Sequence, residues 1–187
     1  MRVIAGEAKG RTLVVPRGGT TRAATDRIRE TLFAIVEPEL EGARVADLFA
    51  GAGTLGIEAL SRGAAHATFV ERGAEAVKAI RRNLAATGFA GRSDVVAANV
   101  IAYLDGRPRG PFEIAFCDPP FADVAIAEAT LGHEGLRGAI APDGLVVARA
   151  HGKHVPAIPT FAHVVRVKEI GEEKLLFLRY SHSAAGG

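Results

Sequence analysis

One cysteine and no tryptophan occur in 187 residues, and no apolar run approaches the roughly 18 residues of a membrane span. A single thiol excludes an intramolecular disulfide framework and any multi-cysteine zinc or iron-sulfur site, and it suits a reducing compartment. The start MRVIAGEAKGRTLVV lacks a basic stretch followed by an apolar run long enough for export, so the expected setting is the cytoplasm. The six histidines show no metal spacing; His151 and His154 stand close without a third ligand, and no metal is assigned. What is present, 48% apolar and 24% charged residues, is enough for one buried core in a self-sufficient chain, expected to be a monomer.

Net charge is only +2, yet it is unevenly placed. Residues 1–30 hold seven basic side chains (Arg2, Lys9, Arg11, Arg17, Arg22, Arg27 and Arg29) against three acidic ones. Arginine outnumbers lysine 18 to 5, which suits planar, bidentate contact with phosphate or base edges, although a high-GC genome also favours arginine codons. A solvated face is the ordinary explanation of such a cluster, and phosphate contact the functional one.

Alternation in Arg2–Ala5 and Arg11–Val15, around a Lys9-Gly10 turn, predicts a short N-terminal β-hairpin. Thr25 is placed to cap a helix with apolar Ile28, Leu32, Ile35 and Val36 on one side, ending before Pro38. From residue 42 strands alternate with helices. Strands are expected at Arg44–Phe49, Ala67–Glu71, Asp94–Ala97, Phe112–Cys117 and Leu145–Ala148, and helices at Thr54–Arg62, Ala74–Ala86 and Val124–Leu131. This alternation predicts an α/β fold with a parallel, doubly wound sheet. His163–Lys168 and Lys174–Tyr180, separated by a short turn at Gly171, should close it as an antiparallel hairpin, with Ser181–Gly187 frayed. The division read from this is a basic extension over 1–41 and a Rossmann-like domain over 42–187, in one compact unit.

The strand Val45–Phe49 runs into Ala50-Gly51-Ala52-Gly53-Thr54-Leu55-Gly56 and then a helix, which puts a G-x-G-x-x-G spacing in strand-turn-helix context. Glu71 ends the next strand, 20 residues after Gly51, where a carboxylate can take both hydroxyls of a ribose. Together they describe an adenosine-type site, which nicotinamide enzymes also use. Asp47, inside the strand before the loop, favours S-adenosylmethionine, because it can address a cationic amino group and would repel a pyrophosphate.

A second motif, Asp118-Pro119-Pro120-Phe121, follows the strand Phe112–Cys117 at the carboxyl edge of the sheet. Prolines donate no backbone hydrogen bond, which leaves carbonyl oxygens to accept from an incoming amine while Asp118 accepts its other hydrogen. An amine so held keeps its lone pair directed at a methyl donor, and Phe121 would stack on the ring that carries it. Carbon-5 methylation of pyrimidines needs a thiolate instead, and Cys117 should point away from Asp118 by strand alternation.

These stretches, with Thr25-Asp-Arg-Ile-Arg-Glu-Thr-Leu-Phe33 and Glu58-Ala-Leu-Ser-Arg-Gly-Ala-Ala65, resemble the RsmD-like methyltransferases, which modify the exocyclic N2 of a guanine in small-subunit (16S) ribosomal RNA. The resemblance covers nearly the whole chain. It implies a Rossmann-like class I methyltransferase sheet, S-adenosyl-L-methionine as methyl donor and an RNA guanine as acceptor. By position it implies Asp47, Ala50, Gly51 and Gly53 at the methionine part, Glu71 at the ribose, Asn99 and Val100 at the adenine edge, and Asp118, Pro119, Pro120 and Phe121 at the guanine. Departures from the family pattern fall at Ala23-Ala24 (usually Pro-Thr), at Asn99 (commonly Asp) and at Arg149, near which an acidic residue is common. Guanine N2 lies on the Watson-Crick edge, so the target should be unpaired or flipped, within small-subunit RNA that is free or part of a subunit. Arg2, Lys9, Arg11, Arg22, Arg27 and Arg29 are the expected phosphate contacts. Three alternatives stay open: methylation of adenine N6 in DNA or of another amine, a nicotinamide-dependent oxidoreductase, and an idle RNA-binding assembly factor.

Overall fold

The computed structural model describes residues 1–16, 24–120 and 123–181. Helix α1 (Asp26–Val36) opens on Thr25, whose hydroxyl accepts from the Ile28 N–H. Then follow β1 (Arg44–Leu48), α2 (Thr54–Ser61), β2 (His66–Glu71), α3 (Ala74–Thr87), β3 (Ser93–Ala97), α4 (Val100–Asp105), β4 (Phe112–Cys117), α5 (Val124–Leu131), α6 (Glu134–Ala139), β5 (Ile140–His151), β6 (Ala162–Ile170) and β7 (Glu173–Tyr180). α4 and α6 are additions to the sequence reading, and β5 is much longer than Leu145–Ala148. Ser181 does not fray: its N–H bonds the Phe161 carbonyl and its own carbonyl accepts from Arg137. Residues 182–187 lie outside the described residues.

The strands form one sheet in the order β3-β2-β1-β4-β5-β7-β6. β1 to β5 are parallel, and β7 runs antiparallel to both β5 and β6, so the expected closing hairpin is present. The chain leaves β1 toward β3 and then returns to β4 on the other side of β1. A crevice therefore opens at the carboxyl ends of β1 and β4, where open α/β sheets take their ligands.

Side chains alternate between two buried layers, as a pleated strand requires. Val45, Ile114, Phe116, Leu145, Val147, Leu175 and Phe177 face the layer formed with α1, α2 and α3. Ala46, Leu48, Ala115, Cys117, Val146, Ala148, Leu176 and Leu178 face the other, formed with α4, α5 and α6. Fully buried Phe33, Phe69, Phe89 and Phe116 fill the first layer, each worth about 1.5–3 kcal/mol relative to exposure.

The N-terminal segment is part of that first layer through Val3, Ala8 and Leu13. Its two arms meet at a single antiparallel bridge, Arg2 with Thr12, flanked by bonds from Val3 N–H to Arg11 O (3.0 Å) and from Leu13 N–H to Met1 O (2.8 Å). The turn docks on the end of α2, where Ser61 accepts from the Glu7 and Ala8 N–H groups and donates its hydroxyl to the Ala5 carbonyl. Gly6 lies so close that an added Cβ would stand 1.7 Å from the Ser61 carbonyl oxygen, and its φ of +79° is itself a glycine conformation. Farther on, Asn83 of α3 holds Val14 by both its N–H and its carbonyl and also donates to the carbonyl of Ala52, tying the extension to the glycine loop.

Glu58 of α2 anchors the extension from below. Its Oε2 accepts from Ile4 N–H (2.9 Å) and Arg29 Nη1 (3.4 Å), and its Oε1 from Ala5 N–H (3.0 Å) and Arg62 Nε (2.9 Å). Arg29 is therefore not a phosphate contact. Its guanidinium is fully buried and bonds Glu58, Asp26 and the Arg2 carbonyl, so it clamps the extension instead of meeting solvent.

Candidate active site

At the end of β1 the backbone turns sharply: Phe49 has φ +64°, Gly51 +56° and Gly53 +76°, and Gly53 leads into α2. Left-handed φ at both glycines lets the loop fold under the end of β2, with Ala50 N–H bonded to Val70 O and Gly53 N–H to Ala50 O. Glu71 fixes the loop from the neighbouring strand. Its Oε2 accepts from Gly51 N–H (2.9 Å) and its Oε1 from Gly73 N–H (2.7 Å). A carboxylate has about four lone-pair sites, so each oxygen keeps capacity for a ribose hydroxyl.

Asp47 lies beneath the loop, 1% exposed, with Oδ2 accepting from Gly56 N–H in the first turn of α2 (2.8 Å). Burial pushes its carboxyl well above the usual range; the Gly56 bond opposes this, and the charges of Asp118 and Glu71 add to it. A buried anion in that state gains from a cationic partner.

Glu71, Asn99, Val100 and Pro120 share one cavity of about 130 Å³. Phe49, Val70 and Ile126 supply apolar lining, and Arg72 and Asp123 stand at polar positions. Asn99 spends Oδ1 on capping α4 through Ile101 N–H (2.9 Å), which leaves its amide N–H₂ as the donor facing a ligand edge. An added Cβ at Gly51 would meet nothing within 4 Å, so the space over the loop is open. Paired acceptors at Glu71, an apolar slot and a buried carboxylate at Asp47 fit a nucleoside that carries a cationic amino acid.

On the other side of the switch point, β4 delivers Asp118 with its N–H on the Leu48 carbonyl. Its Oδ1 accepts from Arg149 Nε at 2.6 Å, and Arg149 Nη1 donates to Glu173 Oε2 at 3.1 Å. Burial raises the Asp118 carboxyl, the Arg149 guanidinium pulls it down, and Glu173 raises it again, leaving a net upward shift. The Pro120 carbonyl already accepts from Asp123 N–H (2.9 Å), whereas no donor among the described residues bonds that of Pro119. Pro119 is thus the more open of the two proline carbonyls that the sequence reading offered to an amine. Phe121 lies outside the described residues. Cys117 faces the opposite layer, and burial holds its thiol above its ordinary value, so no thiolate stands at this site.

Arg2, Lys9, Arg11 and Arg27 are exposed on the extension, and Arg22 lies outside the described residues. Neither Arg72, Asp123 and Ile126 at the cavity nor the Arg149–Glu173 pair was read from the sequence. Asp123 carried a signal, since it caps α5 with Oδ1 on Ile126 N–H.

The strand order, the glycine loop, the acidic end of β2 and the proline turn after β4 together define a Rossmann-like class I methyltransferase fold. The family described as conserved hypothetical protein 95 matches residues 1–179, and the chain belongs to that family. Over 187 residues it is 35% identical to ribosomal RNA small subunit methyltransferase D of Escherichia coli (strain K12), covering 100% of this chain and 92% of the relative. It is also 35% identical to YlbH of Bacillus subtilis, named as a candidate rRNA methyltransferase, over 90% of this chain and 92% of that one. The solved structure of Escherichia coli yhhF superimposes with a TM-score of 0.85 at 34% identity, covering 97% of this chain and 98% of its own. A protein solved in complex with SAH shares the fold alone, at 14% identity and a TM-score of 0.62, over 78% of this chain and 48% of its own.

Proposed function

We propose that this protein methylates small-subunit ribosomal RNA in the cytoplasm, with S-adenosylmethionine as donor and the exocyclic N2 of a guanine as acceptor. The observation that carries the reading is the pairing, across one switch point, of an adenosine-type cavity with the Asp118 carboxylate and a Pro119 carbonyl that no donor among the described residues takes. Full-length similarity to ribosomal RNA small subunit methyltransferase D supports ribosomal RNA as the substrate class.

When bound, the cofactor supplies an electrophilic methyl group on a sulfonium. Glu71 holds the ribose, Asn99 and Val100 border the base, and Asp47 answers the cationic methionine part with Ala50, Gly51 and Gly53 shaping the loop around it. Asp118 and the Pro119 carbonyl would accept the two hydrogens of the guanine amine, which leaves its lone pair free to face a methyl donor. The motif assigns the face of the base to Phe121, which lies outside the described residues. No strong base is needed, because the nitrogen becomes acidic as it turns cationic and sheds its proton to Asp118 or to water.

The exposed Arg2, Lys9, Arg11 and Arg27 neutralise RNA phosphates, and the Asn83 link brings Val14, at the end of the N-terminal segment, next to the glycine loop. The guanine is flipped or unpaired, in RNA that is free or part of a subunit.

Labelled S-adenosylmethionine incubated with small subunits lacking the modification, followed by nucleoside analysis, tests this. N2-methylguanosine is the expected product; methyl transfer to DNA adenine, or to nothing, would refute it. Asp118→Ala should keep cofactor binding and lose transfer.

A further inference from the structure

Asp118 needs more than its place at the end of β4 to present an acceptor. A carboxylate rotates broadly about its last bond, and each rotation exchanges the oxygen offered to a substrate. Arg149 stops that rotation. Its Nε bonds Oδ1 at 2.6 Å, a short charge-assisted contact, and no donor among the described residues reaches Oδ2. The Arg149, Asp118 and Glu173 side chains are 4%, 12% and 13% exposed, so bulk water does not compete for these bonds.

We propose that Arg149 is the positioning residue of the acceptor site, locking Asp118 by Oδ1 so that Oδ2 alone meets the substrate amine, with Glu173 setting the charge of the array. The inference rests on Asp118 as the amine acceptor and adds what orients it. Charge explains why Glu173 is required. As the nitrogen lone pair bonds to the methyl carbon and sulfur keeps the pair of the broken C–S bond, positive charge passes to nitrogen until one of its protons moves to Asp118 or to water. Asp118 with Arg149 alone is neutral and would not stabilise that charge; Glu173 returns the array to one net negative charge. The charged and titratable groups around Asp118 are Arg149 from β5, Glu173 from β7 and Asp47 from β1; the Cys117 thiol beside it on β4 points into the opposite layer.

Arg149→Gln, Arg149→Lys and Glu173→Gln test this in the full chain. Three readouts apply: cofactor affinity with melting temperature, a carbon-13 carboxyl titration of Asp118 assigned by its absence in Asp118→Asn, and kcat against pH. Arg149→Gln should bind S-adenosylmethionine within about twofold of wild type but lose about 10- to 100-fold in kcat. Its Asp118 titration and the acidic limb of kcat should both move to higher pH, since the lost cation favoured the ionised form. Arg149→Lys should return the titration toward wild type without restoring kcat, because an ammonium lacks the planar Nε contact. Glu173→Gln should move the titration to lower pH and still lower kcat. Wild-type kcat and an unmoved Asp118 titration in Arg149→Gln, beside an active wild type, would overturn the inference alone. An inactive wild type would sink the acceptor reading and this inference with it.

Discussion

Glu58→Gln tests whether a buried carboxylate, and not the hairpin itself, holds the N-terminal extension. Four donors converge on its two oxygens at 2.9–3.4 Å: the N–H groups of Ile4 and Ala5 and the guanidinia of Arg29 and Arg62. Glutamine has nearly the same volume, so it leaves no cavity, but it offers one oxygen and turns an N–H₂ toward the remaining donors. Arg29 is fully buried, and its other carboxylate partner, Asp26, is 52% exposed and screened. Breaking one partner of a buried ion pair costs about 3–5 kcal/mol, because a charge stays buried without its counter-ion. For a domain of this size each kcal/mol lowers Tm by about 2–4 °C, so a fall of roughly 6–20 °C is expected. Urea melts should show a lower midpoint at unchanged slope, and the Ile4 and Ala5 amides should lose hydrogen-exchange protection first. A loss under about 1 kcal/mol with both amides still protected would refute the anchoring role.

Gly56→Ala would bring a Cβ within 2.3 Å of Phe69 Cε1, an overpacking cost of about 1–3 kcal/mol; an unchanged Tm would refute that close contact. Replacing Arg2, Lys9, Arg11 and Arg27 by glutamine should flatten the salt dependence of RNA binding by about 0.7 in slope per lost phosphate contact, with cofactor affinity intact; an unchanged slope would exclude them from the interface. Asp47→Asn keeps an acceptor for Gly56 N–H and removes a carboxyl that burial shifts upward. A carboxyl raised in the folded state contributes stability below its unfolded value and loses it as pH rises through the folded one, so the variant should melt above wild type near neutral pH and gain less from added S-adenosylmethionine. Equal melting of the two proteins at neutral pH would contradict this.

Where a local pattern determines structure, the sequence was legible. Strands β1, β2 and β4 are apolar runs closed by Gly51, Gly73 and Pro119, and the two chemical motifs sit at their ends, which places both at the switch point. α4 and α6 have six residues each, too few for an apolar period to repeat, and Gly135 and Gly138 weaken α6 further. Pro142-Asp-Gly144 resembles a turn, which hid the first part of β5. Arg29 was legible yet read wrongly. It precedes Leu32, Phe33 and Val36 at i+3, i+4 and i+7, a core position on α1, but the arginines around it suggested a basic surface. Arg149 meets Asp118 only because β4 and β5 pair with Cys117 beside Ala148, a register no local pattern encodes.

The charge distribution argues for the same chemistry from a different direction. Among the described residues, Asp47, Glu71, Asp118 and Glu173 stand at the switch-point end of the sheet, against buried Arg149 and the exposed Arg72 at the cavity. A pyrophosphate in that crevice would meet Asp47 at close range, so the glycine loop is poorly matched to a dinucleotide despite its spacing. A sulfonium cofactor is cationic, and an amine becomes cationic as it is methylated, so both gain from the excess negative charge. RNA phosphates would not, and the contacts proposed for them lie elsewhere, at exposed Arg2, Lys9, Arg11 and Arg27 on an extension whose Val14 is tied to the loop through Asn83. In the proposed arrangement, with anions at the chemistry and cations on the extension, the backbone of the nucleic acid would stay outside while an uncharged base enters. A flipped guanine meets that condition, since extrusion moves its amine into the crevice and leaves its phosphates at the rim.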